Sequence, residues 1–106
     1  MNKTIHLPLP ARSAVIKLGQ DINNARRRRR ITKALMAERA GIAINTLTRI
    51  ERGNPNASMA AWTSVLFVLG FTENLRNLAD PSQDLIGLML DEERLPKRIR
   101  YSKKTM

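Results

Sequence analysis

The sequence contains no cysteine. Disulfide staples, thiolate zinc sites and cysteine nucleophiles are therefore excluded together, and stability must come from packing. A single histidine, His6, leaves no histidine-based metal site and reads as an ordinary surface residue. Aromatics are equally scarce: one tryptophan, one tyrosine and two phenylalanines are too few for a platform on which unpaired bases could stack. No apolar run approaches the ~20 residues that cross a bilayer. The opening MNKTIHLPLP also lacks the apolar centre of a secretory signal. These absences read as a soluble cytoplasmic protein with no membrane partner. Phosphate-cradling glycine loops, metal-ligand spacings and nucleophile–base pairs are missing too. No enzyme activity, metal or cofactor is expected.

Acidic residues are few, nine against nineteen basic ones, for a formal charge of +10 in 106 residues. A chain of this length suits one small domain with one core. So large a positive charge favours nucleic acid, an acidic protein surface or anionic lipid as partner. The charge is uneven: residues 1–30 carry +7, residues 31–50 +2, residues 51–80 −1 and residues 81–106 +2. Basicity thus gathers in the opening stretch and again at the C-terminal end.

Helical periodicity organises most of the chain. The segment TIHLPLP reads as an extended arm or short edge strand, residues 1–12. From Ser13 as N-cap, Val15, Leu18, Ile22 and Ala25 recur at helical spacing and mark a first helix to about Arg28. Thr32 caps a second helix with Met36, Ala37 and Ala40 inward, and Gly41 ends it. A third runs from Ala43 or Ile44 to Arg52, before Gly53, Asn54 and Pro55. Ser58 opens MAAWTSVLFVLG, apolar enough to be the central helix, with Trp62 in the core. A fifth follows Thr72, with Leu75, Leu78 and Ala79 inward, and Asp80-Pro81 closes it. The methionines at 36, 59 and 89 fall at core spacing.

The organisation expected is therefore an all-α bundle of five or six short helices, its main domain at residues 13–80. An extra helical segment at 81–93 is either a further helix on the bundle or a partner-binding surface. Within it, Asp91, Glu92 and Glu93 read as a solvated acidic cluster. A basic tail, flexible when unbound, occupies 94–106.

The stretch from Thr32 to Gly53 carries the functional signal. Ala37 is small where two helices would touch, Gly41 follows at a turn, and Leu47 and Ile50 stand where they would seat a second helix. With those two inward, Asn45, Thr48, Arg49 and Arg52 face outward, flanked by Ile44 and Thr46. No acid interrupts that face. A solvated helix usually mixes both signs, so hydroxyls, an amide and guanidiniums suit an anionic partner. A merely structural α-hairpin of the same spacing stays open.

The segment TKALMAERAGIAINTLTRIERGNP resembles the helix-turn-helix of the phage-repressor-like (XRE, lambda repressor-like) DNA-binding family over roughly residues 14–80. The later LDEERLPKRIR is similar to the HipB-like antitoxins of HipA-type kinase modules. The resemblance implies base reading by Ile44, Asn45, Thr46, Thr48 and Arg49. Arg49 would then pair with guanine, Asn45 with adenine, and Ile44 would press a thymine methyl. Phosphate contacts fall to Arg27, Arg28, Arg29, Arg30, Lys33 and Arg52. Lys33 stands where the family usually has glutamine, keeping a phosphate contact but not an amide relay to a base-reading side chain. Ala43 replaces the usual capping hydroxyl. Arg26 is implied to turn inward and pair with Glu51, a structural ion pair.

The implied partners are double-stranded DNA with a palindromic operator, a second copy of the chain, and a HipA-like kinase toxin. The implied role is an autoregulating repressor that serves as an antitoxin. A stand-alone or phage-type regulator is the alternative. A protein-interaction inhibitor acting through its arm or tail is a third reading, and an RNA-binding protein a fourth.

Overall fold

The structure, a computed structural model, describes residues 5–104, with side chains as far as Arg94. Among the described residues all regular structure is helical. Six α-helices follow in order: α1 Leu9–Arg28, α2 Lys33–Ala40, α3 Ile44–Glu51, α4 Met59–Leu69, α5 Thr72–Arg76 and α6 Leu85–Lys104. The chain divides into two compact units, one as far as Thr72 and one from Glu73 onward. That division falls ahead of the Asp80-Pro81 boundary read from the sequence.

Helix α1 begins earlier than Ser13. Pro8 is its N-cap, and Pro10 lies in the first turn, where a missing N–H costs nothing and a fixed φ already suits the helix. The Arg12 amide closes the turn by donating to the Pro8 carbonyl at 2.9 Å. Residues 5–8 precede the helix without forming a strand, and residues 1–4 of the expected arm lie outside the described residues.

The inward stripe of α1 also differs by one position from the apolar pattern. Gly19, Ile22, Ala25 and Arg26 are buried, whereas Leu18 is exposed. Here α1 meets the C-terminal end of α3 almost backbone to backbone. A Cβ on Gly19 would lie 2.5 Å from the Ile50 carbonyl oxygen, and one on Gly53 would lie 2.5 Å from the Ile16 Cα. Only glycines permit that approach.

The first unit closes around Ile22, Met36, Leu47, Ile50 and Val65, all essentially inaccessible. Trp62 and Leu69 of α4 complete the core. Helix α4 packs on α1, α2 and α3, consistent with its apolar sequence. Ser58 caps it, the hydroxyl accepting from the Ala61 amide at 3.0 Å. Met59, at core spacing by period alone, lies on the open side of that first turn and is exposed.

In the second unit α5 is short, so Leu78 and Ala79 lie beyond its end and are exposed rather than inward. A 3₁₀ turn at Pro81–Gln83 follows, capped by Asp80. The Asp80 carboxylate accepts from the Ser82 hydroxyl at 2.6 Å and the Ser82 amide at 3.0 Å. These bonds hold its pKa below the ordinary carboxylate value. Helix α6 then runs through Pro96 to Lys104, past the point where a flexible tail was expected. Proline removes one rung of the hydrogen-bond ladder without forbidding the turns on either side. Leu85, Ile86, Met89 and Leu90 are exposed on α6, Met89 included despite its core spacing.

Candidate nucleic-acid interface

Helices α2 and α3 are set by local chemistry at their ends. Thr32 accepts from the Leu35 amide at 3.1 Å and fixes the start of α2. Gly41, at φ 71°, ends it in the left-handed conformation, and the Ile42 amide returns to the Ala37 carbonyl at 3.0 Å. The turn this creates delivers the chain into α3, which starts at Ala43 without a side-chain cap. Tertiary burial supplies what the cap does not: Leu47 and Ile50 are 0% exposed.

With that side anchored, the other is presented to solvent. Ile44, Asn45, Arg49 and the C-cap Arg52 are exposed, and Thr46 and Thr48 are half-buried. Lys33, the first residue of α2, reaches across to this face and donates from Nζ to Thr48 Oγ1 at 3.2 Å. This is an ammonium link to a hydroxyl rather than an amide relay, and spacing alone does not reveal it.

The orientation of α3 is locked from behind by a buried polar cluster. Arg26 of α1 donates to Glu51 through Nε at 2.7 Å and Nη2 at 3.2 Å. Its remaining Nη1 donates to the Ile31 carbonyl at 2.8 Å. Asn23 adds a bond to Glu51 Oε1 at 2.7 Å. Arg26 and Glu51 are each 8% exposed, and the described residues contain no buried side-chain polar atom without a partner. Such a pair is tolerated in low dielectric because both groups are fully bonded. Asn23 escaped the sequence reading, although it sits one helical turn before Arg26 on the same face.

The five consecutive arginines are not equivalent. Arg29 donates to the Ala25 carbonyl at 2.9 Å and to the Leu69 carbonyl at the end of α4 at 3.0 Å. Its guanidinium also lies over the Phe71 ring, 5.6 Å from the centroid. Arg29, itself exposed, thus has a capping role as well: carbonyls in the last turns of α1 and α4, with their partial negative charge, hold part of its guanidinium. Arg27, Arg28 and Arg30 are exposed and, among the described residues, make no side-chain hydrogen bond. Arg30 has φ 57°, and its amide and that of Ile31 return to the Arg27 and Arg26 carbonyls. This is the helix-ending motif that glycine usually occupies.

The arrangement is a buried-backed helix with an acid-free outer face, beside exposed arginines at the end of another helix. The family model described as a helix-turn-helix domain matches residues 17–79. The chain belongs to the helix-turn-helix domain family. No curated protein and no solved structure matches it. The helix-turn-helix match spans most of α1 and all of α2 to α5. It makes the chain a DNA-binding protein of regulatory type. Among the described residues no helix is long and apolar enough to cross a membrane.

Proposed function

We propose that this helix-turn-helix protein is a sequence-specific transcriptional repressor that binds a palindromic operator as a homodimer. In our reading it is also the antitoxin of a HipA-like kinase toxin whose operon it controls. One observation carries the repressor reading: α3 buries Leu47 and Ile50 while presenting Asn45, Thr48 and Arg49 outward. Side chains of that kind, on the second helix of such a motif, are what the major groove accepts. Ile44 and Thr46 flank them, and Arg27, Arg28, Arg30, Lys33 and Arg52 supply positive charge for neighbouring phosphates.

One small unit covers a single half-site, so two copies spaced by about one helical turn, ~34 Å, suit a repressor. The exposed Leu85, Ile86, Met89 and Leu90 support self-association, because contiguous apolar patches commonly mark contact surfaces. The antitoxin role rests on the resemblance of LDEERLPKRIR.

Footprinting at two salt concentrations tests the repressor reading. Arg49→Ala should relax sequence preference, while Arg28→Ala should weaken all sequences alike and flatten the salt dependence. Equal retention of random and cognate duplexes by the unaltered protein would end the reading. Sedimentation equilibrium tests the dimer. For the antitoxin, the decisive observation is an adjacent kinase-like reading frame whose toxicity co-expression of this chain relieves. With no such neighbour, a stand-alone regulator is the reading that stands.

A further inference from the structure

We propose that Lys33 and Thr48 form a single positively charged, donor-rich base-reading unit that selects guanine at one position of each half-site. The proposal rests on the DNA-binding reading and deepens it. An ammonium has three donors and no acceptor, so in the 3.2 Å contact Lys33 Nζ must donate and Thr48 Oγ1 must accept. The hydroxyl is left with its hydrogen and one lone pair, beside a cation that favours an acceptor as the next partner. A threonine in mid-helix commonly turns its hydrogen back onto a carbonyl one turn earlier. Among the described residues, however, the only bond made by the Thr48 hydroxyl is the one from Lys33. Its hydrogen is free to point out of the protein, and Lys33 keeps two N–H groups for the same region.

Both side chains are half-buried, which limits their freedom and keeps the donors together on the outer face of α3. In the major groove guanine presents two adjacent acceptors, N7 and O6. Adenine pairs one acceptor with a donor, thymine offers one acceptor beside a methyl, and cytosine offers a donor. A cluster of donors carrying a positive charge therefore matches guanine best and opposes cytosine. Lys33 is on this account a specificity-determining residue rather than a phosphate contact alone.

The test is selection from a randomised duplex library with the full-length chain, comparing wild type with Thr48→Val, Thr48→Ser and Lys33→Met. Wild type should enrich guanine and deplete cytosine at one position per half-site, by roughly 10-fold or more. Thr48→Val, isosteric but without a hydroxyl, and Lys33→Met should each flatten preference at that same position and leave the others unchanged. Thr48→Ser should retain it. Urea midpoints within error of wild type show that the variants are folded. If Lys33→Met weakens all sequences equally, lowers the salt slope by about 1 and leaves base preference intact, Lys33 touches phosphate only. The proposal then fails while the DNA-binding reading survives. If Thr48→Val keeps the wild-type preference, it fails equally. Recovery of no sequence at all by wild type would overturn both.

Discussion

Removal of the Glu51 carboxylate should damage the protein far more than removal of Glu51 and Arg26 together. In Glu51→Ala the Arg26 guanidinium, 8% exposed, keeps only the Ile31 carbonyl, and the Asn23 amide loses its partner. Breaking a buried pair from one side typically costs about 3 to 5 kcal/mol, because the surviving charge stays desolvated. For a unit of this size total stability is roughly 4 to 10 kcal/mol, so the single variant should sit near its unfolding threshold. Replacing both by methionine removes the charge and keeps most of the volume. The remaining losses are one bond to the Ile31 carbonyl and one to Asn23, each about 1 kcal/mol. The double variant should therefore be more stable than Glu51→Ala by about 2 kcal/mol. Urea unfolding followed by the fluorescence of Trp62, the only tryptophan and 8% exposed, reads this directly. A double variant less stable than Glu51→Ala, or a single-variant loss below about 1 kcal/mol, refutes the reasoning.

Gly19→Ala should lose about 2 kcal/mol by the same assay. The contact with the Ile50 carbonyl at 2.5 Å imposes overpacking of up to ~3 kcal/mol, which outweighs the ~1 kcal/mol that alanine gains in a helix; a raised midpoint would contradict this. Arg29→Ala should cost about 1 kcal/mol of stability through the lost bonds to Ala25 and Leu69. Its duplex affinity should change less than that of Arg28→Ala, and filter binding across a salt series separates the two. Arg30→Gly should gain about 0.5 to 1 kcal/mol, the relief of a left-handed arginine less the added freedom of the unfolded chain. Calorimetry checks the gain.

The middle of the chain was legible because its signals are local or periodic. Thr32, Gly41, Leu47 and Ile50 each act within a few residues of their neighbours, and helix order from α1 to α4 follows from them. The errors have a common source in partners that spacing does not reveal. Leu18 scored as core by its apolarity, but the buried position is Gly19, which contributes nothing to an apolar pattern. Pro8 and Pro10 looked like breakers, yet the first turn is where proline is accepted. Leu78 and Ala79 were assigned to a fifth helix that ends at Arg76. In the site, the outward face of α3 was read from period alone. The contact of Arg29 with the Leu69 carbonyl and the reach of Lys33 depend on the end of α4 and on Thr48, which only the folded chain brings close.

Arg30 keeps a large cationic side chain at a backbone geometry that glycine holds at lower energy. Two selections would pull this position apart. Variants chosen only for endurance to heat should drift toward glycine there, whereas variants chosen for holding an operator should keep the arginine. The amino acid that wins under each regime separates the demands of the scaffold from those of the nucleic acid.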